Sequence, residues 1–317
     1  MSSQYRVREF CEDDDFESFN QLVWDEHIRR GKRNGVKIKD DFSIDYSQKI
    51  ISKEQYFSND DSSYPINKGY VLESGGETVA ILTTTLELEG RNGTIHKLGI
   101  KEGSEVSLEP LINACNTYIQ HNGGDTVYCY SEILPGQIHN ADIDFWVNYG
   151  FKPEPYYAQW VVMNDFFKWQ PPVDLEVDRV LPANDFDIDN ILEILEEDGE
   201  RYIAENIRYE FSEVTPEHVF IKLCNIDGEI DGVAYYKVNR DRGTNTLGIH
   251  IRPKANDQSH YYEIQRFVRC TLMSMKQLNL SYVGTRMSSR NLLSIIALCA
   301  EGFSLAPIGT VVLHRSV

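Results

Sequence analysis

The residues with the most chemical capacity in this 317-residue chain gather in two short stretches, one in each half. In the first half His96 stands inside the apolar run Ile95–Ile100, and a loop carrying Glu102, Glu105 and Glu109 follows. In the second half His250 stands inside Leu247–Ile251, and the next loop carries Arg252, Lys254, Ser259 and His260. The His96 imidazole, with an ordinary pKa of about 6.5, can take a proton from an ammonium group through water, whereas His250 points to the opposite strand face. A loop that leads into a helix can hold an anion, because the first helical N–H groups have no partner within the helix and the dipole adds to them. The second loop offers cations and a hydroxyl to such an anion, whereas the three carboxylates of the first oppose it by Coulomb repulsion. Glu87 and Glu89, at the end of an earlier strand pattern, can draw an amine or simply mark an exposed strand end.

Other chemistries find little support. The six cysteines form no Cys-x-x-Cys pair, and most lie in apolar patterns, so they read as reduced, buried thiols. No His-x-x-x-His pair suggests zinc. Net charge is −18, with −11 over residues 1–170 (16 Lys+Arg against 27 Asp+Glu) and −7 over the rest (15 against 22), so both halves repel a phosphate backbone. Nucleic acid is excluded as a partner on that ground, and cationic amines are favoured. No apolar run reaches the ~18–20 residues of a membrane span, and the N-terminus has no apolar stretch of a secretory signal. The expected location is cytoplasmic, away from membranes. One basic island, Arg29-Arg30-Gly-Lys32-Arg33-Asn-Gly-Val-Lys37-Ile-Lys39, reads as following a helix C-terminus where Gly closes the turn, the alternative being a contact with a cofactor phosphate or an acidic partner.

The elements that position these residues occur twice. Asn140 leads a short apolar helix that ends at Gly150-Phe151, and Asn291 leads another that ends at Gly302-Phe303, 152 residues later (302 − 150). Each block closes the same order: strand, helix, hairpin of strands, a further strand, amphipathic helix, strand, short helix, strand. In the first half Leu111, Ile112, Cys115, Tyr118 and Ile119 share one helical face. Gly75-Gly76 and Ile226-Asp-Gly228 mark hairpin turns. A repeat of this length is two copies of a domain. The expected division is 1–168, a linker at 169–174 around Pro171-Pro172, and 175–317, each domain an α/β (α+β) mixed-sheet fold.

This order, with the Asn…Gly-Phe block at its end, resembles the GNAT superfamily of acetyl-CoA-dependent N-acetyltransferases over nearly the whole chain. The family's closing motif runs Asn-x-x-Ala-hydrophobic-x-Phe-Tyr-x-x-x-Gly-Phe. Phe145-Trp146…Gly150-Phe151 fits its second part, and Asn291…Gly302-Phe303 keeps its full spacing. The resemblance implies two tandem acyl-CoA N-acyltransferase-like domains with acetyl-CoA as the cofactor and a small-molecule primary amine, cationic in character, as the partner. It implies that the strand before the long helix splays from its neighbour and binds the pantetheine arm through its backbone. The matching positions are Leu98, Gly99 and Ile100 in the first half, and Ile249, His250 and Ile251 in the second. Arg252 and Lys254 then face the diphosphate, and Asn140 and Asn291 lie beside the thiol end. His96 falls where the family often carries a base.

The chain also departs from the pattern. Neither loop has the family's glycine-rich cradle, so both cofactor loops are degenerate. The Tyr that protonates the departing thiolate is replaced by Trp146 and Leu298, which leaves Tyr149 as a displaced acid. The reading is therefore an N-acetyltransferase with at most one active domain, coenzyme A falling to residues 175–317. The alternative is a non-catalytic ligand- or partner-binding protein with both sites degenerate.

Overall fold

The computed structural model describes residues 5–35, 51–57, 66–87, 92–104, 106–134, 137, 140–172, 179–184, 187–197, 218–239 and 244–317. The chain divides into two compact units. Unit 1 comprises residues 1–155 and 310–317, and unit 2 comprises residues 156–309.

Unit 1 holds β1 (Tyr5–Glu9), α1 (Phe16–Arg33), a short α2 (Lys53–Phe57), β2 (Ile66–Ser74), β3 (Glu77–Glu87), β4 (Asn92–Ile100), α3 (Glu109–His121), β5 (Thr126–Ile133) and α4 (Ala141–Asn148). Its strands lie in the order β1-β2-β3-β4-β5, and the end of β12 (Ser304–Ser316) completes the row beyond β5. Neighbours are antiparallel up to β4, and β4 runs parallel to β5. α1 starts where the Asp15 carboxylate accepts from the Ser18 N–H at 3.1 Å, and cations crowd its last turn, as its dipole favours. α3 turns Leu111, Ile112, Cys115 and Ile119 inward. It lies so close to β4 that a Cβ on Gly93 would come within 2.2 Å of Ile119, which leaves room for glycine alone.

Unit 2 repeats the plan. It holds the later part of β6 (Lys152–Asn164), then β7 (Val180–Pro182), α5 (Ile188–Glu197), β8 (His218–Cys224), β9 (Ile230–Asn239), β10 (Thr244–Ile251), α6 (Tyr261–Lys276), β11 (Tyr282–Ser288) and α7 (Leu292–Ala300). The order is β7-β8-β9-β10-β11-β6, with β10 parallel to β11. α6 lays Ile264, Phe267, Val268, Leu272 and Met275 against Leu247, Ile249 and Ile251 of β10. Each such side chain contributes about 1.5–3 kcal/mol when fully buried. The other face of the sheet is covered by Ile191, Leu192, Ile194 and Leu195 of α5, with Phe220 and Val233.

The repeated Gly-Phe pairs are one physical device used twice. Gly150 (φ +80°) and Gly302 (φ +98°) follow α4 and α7 in the left-handed region. The Gly150 N–H donates to Val147 O at 2.9 Å and the Phe151 N–H to Trp146 O at 3.2 Å. In unit 2 Gly302 donates to Cys299 O at 3.0 Å and Phe303 to Leu298 O at 3.1 Å. These are Schellman closures, which pair a hydrophobic residue after the glycine with one in the last turn. Trp146 and Leu298 are those last-turn partners, and both are buried.

The expected division needs correction at both ends. Residues 156–168 belong to unit 2, because β6 ladders with β11 from Ala158↔Ser288 to Asn164↔Tyr282. Residues 310–317 belong to unit 1, where the Val317 N–H donates to Asp125 O at 3.0 Å. Trp169 is no linker residue: it is buried in the core of unit 2 and stacks on Phe166 at 6.1 Å. The remainder of the expected linker, residues 173–178, lies outside the described residues, as do Lys37, Lys39, the Glu87 side chain, Glu89 and Glu105.

Candidate functional site

Each sheet opens where its parallel pair begins. β4 pairs with β5 only from Asn92↔Thr126 to Thr94↔Tyr128. β10 pairs with β11 only at Thr246↔Gly284. Beyond these points Ile95–Ile100 and Leu247–Ile251 stay laddered to β3 and β9 on their other edges. The backbone polar groups on the open edge need partners of another kind. Leu98, Gly99 and Ile100 thus line one opening, and Ile249, His250 and Ile251 the other.

The two strands differ in register. Thr83 pairs with Lys97 and Thr84 with Ile95, so His96 is the extra residue of a β-bulge. The bulge breaks the alternation that puts His96 and Leu98 on one face: His96 is exposed and Leu98 buried. β10 has no such break against β9. His250 therefore faces away from α6 and is buried, its ring parallel to Tyr235 within 11° at 5.9 Å.

The opening of unit 1 is bridged by α1. The Lys101 N–H donates to Val79 O of β3 at 2.9 Å. The Ile100 carbonyl of the same planar peptide points the other way, toward the opening, and accepts from the Arg29 guanidinium. Arg30 reaches Tyr130 O of β5 at 3.4 Å and holds both Asp142 oxygens of α4 at 2.7 Å. Its guanidinium also lies over the Trp146 ring at 5.6 Å. Glu26 binds Arg29 at 2.8 Å and Arg33 at 3.0 Å. One helix thus ties both rims of the opening. The arginines of the basic island form this clamp, and the signal for it in the sequence is the pair of carboxylates, Glu26 and Asp142, on otherwise apolar helix faces.

Just ahead of the helices beside the openings, N–H groups of the approaching chain are taken by its own oxygens. In unit 1 the Leu108 N–H donates to Tyr149 Oη at 3.1 Å and the Glu109 N–H to Ser107 Oγ at 3.3 Å. Pro110 has no N–H to offer. Tyr149, expected as a displaced acid, accepts at the start of α3, and its own O–H proton is not used by that bond. In unit 2 the Asp257 carboxylate takes the Ser259 N–H at 2.8 Å and meets His260 Nδ1 at 2.9 Å. The Ser259 hydroxyl and His260 hold that carboxyl down at about 2.

Arg252 and Lys254, expected to face a diphosphate, are paired elsewhere. Arg252 binds Glu193 at 2.6 Å and Glu197 at 2.9 Å, both on α5. Burial works against its charge, yet these carboxylates outweigh it and raise its pKa. Lys254 binds Glu229 at 3.0 Å and Asp231 at 3.3 Å, which raises its pKa also. Both line a charged cavity of about 490 Å³ with Asp187, Glu193, Lys222 and Glu229. These partners lie 23 to 59 residues away, so reading the loop alone missed them.

The two asparagines also differ. Asn140 caps α4 by accepting from the Asp142 and Ile143 N–H groups at 3.0 and 2.9 Å, and its amide donates to Glu132 O at 2.9 Å. Asn291 is buried and accepts from Asn256 Nδ2 at 2.9 Å. Among the buried oxygens of unit 2 without a hydrogen-bond partner are Asn256 Oδ1, Thr285 Oγ1 and Ser294 Oγ. They sit on the loop after β10, on β11 and on α7, the segments that border the opening of unit 2. Sequence reading passed over all three. Their one signal was polarity within apolar patterns, Ser294 standing in Leu292-Leu-Ser-Ile-Ile-Ala-Leu. Buried polar atoms without partners are rare and call for a specific explanation.

Among the described residues no cluster of His, Cys, Asp and Glu is placed to hold a metal ion, and no helix is long and apolar enough to cross a membrane. No protein-family model matches the chain, and no curated protein does. Solved structures do. A tandem GNAT protein from the clavulanic acid biosynthesis pathway aligns at TM-score 0.50 and 11% identity, over 99% of this chain and 98% of that one. A GCN5-related N-acetyltransferase from Sphaerobacter thermophilus aligns at 0.55 and 11%, over 98% and 95%. A glucosamine N-acetyltransferase region of a fungal multi-domain GH3 β-N-acetylglucosaminidase aligns at 0.57 and 9%, over 99% of this chain and 38% of that one. The chain has the fold of tandem GNAT proteins.

Proposed function

We propose that this chain is a tandem GNAT-fold N-acyltransferase that moves an acetyl group from a coenzyme A-type thioester to a primary amine of a small molecule, and that unit 2 is the working half. The observation that carries this reading is the contrast between the openings. In unit 1 the exposed carbonyl at the end of β4 already accepts from Arg29. In unit 2 the bordering segments keep three buried oxygens without partners, whereas on α4 of unit 1 the unpartnered atom is a donor, Trp146 Nε1, beneath the Arg30 guanidinium.

Acetyl-coenzyme A, when bound, supplies an activated acyl carbon. Unit 2 fits the arm of that molecule, through the β10 backbone, Asn256, Thr285 and Ser294. It does not fit the diphosphate, since Arg252, Lys254 and the Ser259 N–H are already engaged. Unit 1 fits neither end. As the amine attacks, the C–S bond of the thioester would break, and the proton the amine loses would pass by way of His250, on the strand that lines the opening, to the departing thiolate. The net charge of −18 draws cationic amines and repels nucleic acid.

Thermal shift with acetyl-coenzyme A, then thiol release with polyamines, amino sugars and aminoglycosides, tests the reading. Ser294→Leu, which fills the opening of unit 2, abolishes both signals. Full activity in a folded Ser294→Leu protein would move the reaction out of unit 2.

One observation favours a second, non-catalytic reading. Neither Trp146 nor Leu298, at the position where the family carries its acid, can protonate a leaving thiolate. Ligand-induced stabilisation without thiol release, across the whole amine panel, supports that alternative.

A further inference from the structure

We infer that unit 2 recognises its acyl donor by a bare, uncharged pantetheine arm, and that a nucleotide diphosphate adds nothing to its affinity. This rests on the reading that the opening of unit 2 holds the arm.

The two ends of that site differ in kind. Around β10 and β11 it offers neutral hydrogen-bonding groups: the unladdered edge of Leu247–Ile251 and the buried oxygens of Asn256, Thr285 and Ser294. A pantetheine arm is made of amides and hydroxyls, which suit such groups. Toward α6 the character changes. Two cations, Arg252 and Lys254, stand against five carboxylates, Glu193, Glu197, Glu229, Asp231 and Asp257. A diphosphate arriving there must break ion pairs already made, and it meets Asp257 on the N–H group it would need. Asp257 caps the 3-10 turn Gln258–His260 that runs directly into α6, so its charge lies near the positive end of that helix's dipole. The chain has in effect built its own anion into the place where another would bind. Unit 1 reaches a similar end by different means, with Tyr149 Oη on the Leu108 N–H.

Such an arm occurs free or attached to a carrier protein, and its chemistry is the same in both. Calorimetric titration of the full chain compares acetyl-coenzyme A with S-acetyl-pantetheine, which lacks the phosphates and the nucleotide. Equal affinities, within about threefold, are expected. Added salt should leave S-acetyl-pantetheine unmoved and should not weaken acetyl-coenzyme A, since no diphosphate-to-cation contact exists to be screened. Asp257→Ala frees the Ser259 N–H and removes the opposing charge, and should tighten acetyl-coenzyme A alone by about two- to fivefold. An acetyl-loaded carrier protein, titrated in turn, tells a protein-borne arm from a free one. Acetyl-coenzyme A binding more than about thirtyfold tighter than S-acetyl-pantetheine, weakening with salt, would overturn the inference and leave the function of unit 2 standing. Binding of neither ligand would remove that function and the inference with it.

Discussion

Replacing Arg30 with methionine should destabilise unit 1 by several kcal/mol without touching unit 2. Arg30 holds both oxygens of Asp142 at 2.7 Å, and the Asp142 side chain is only 2% exposed. Burial opposes the charge of Arg30, and Asp142 outweighs it. Removing the guanidinium leaves a carboxylate with no opposing charge in a dry site, which typically costs about 3–5 kcal/mol. Asp142 lies in the first turn of α4, where the helix dipole returns about 0.3–1 kcal/mol to it. Arg30 itself is one-fifth exposed, so water softens the loss. About 3 kcal/mol is therefore expected. For a unit of this size that is a fall of roughly 6–12 °C in the melting transition, at about 2–4 °C per kcal/mol. Differential scanning calorimetry reads it directly. The double variant Arg30→Met/Asp142→Leu should recover most of the loss, because an apolar pair of similar volume is near neutral. A loss below about 1 kcal/mol for Arg30→Met, or a double variant no better than the single one, would refute the view that this pair clamps the opening.

Four further outcomes are expected. His250→Gln should lower kcat by about 10²–10⁴ with little change in KM for the thioester; an unchanged kcat would remove His250 from proton transfer. The Asp257 carboxyl, depressed to about 2, should keep its contact at the start of α6 from neutral pH through the ordinary carboxylate value and lose it only as pH falls through about 2; a carbon-13 NMR titration midpoint near 3.8 would contradict this. With Ellman's reagent Cys11 should react first and Cys299 more slowly, since burial pushes the Cys299 thiol up, while Cys115, Cys129, Cys224 and Cys270 stay silent until unfolding. Ending the chain at Gly309 should abolish the melting transition of unit 1, because it removes the strand beyond β5 and leaves that strand as an edge; a normal transition would show that residues 310–317 add nothing to unit 1.

Much of the fold was legible because it rests on local rules. The Gly-Phe pairs announced two identical helix closures, and the apolar face of α3 followed from residue spacing alone. The exchange of final strands was not legible. β6 and β12 each follow a Gly-Phe closure, and each is an alternating strand of thirteen residues. A sequence says that such a strand will find an edge, but β5 and β11 offer equivalent parallel-sheet edges, and nothing in the strand itself names which one it joins. The bulge at His96 was hidden for a related reason, since alternation is read by assuming that no residue is extra.

The site was least legible where charge decides. Arg252 and Lys254 look free in the loop because their own neighbours are neutral, yet folding brings four carboxylates to them, from α5, from β9 and from the turn before β9. In unit 1 the reverse holds: the loop looked hostile because of its glutamates, whereas what occupies the helix start is a tyrosine hydroxyl from the far end of α4. Two unlike groups, a carboxylate near in sequence and a phenol 41 residues away, fill corresponding places in the two units. Had one half been kept for a diphosphate and the other left to drift, only one helix start would be stopped in this way. That both are stopped, by different residues, while α1 also bridges the opening of unit 1, leaves the opening of unit 2, on the reading proposed for it, to hold an uncharged arm.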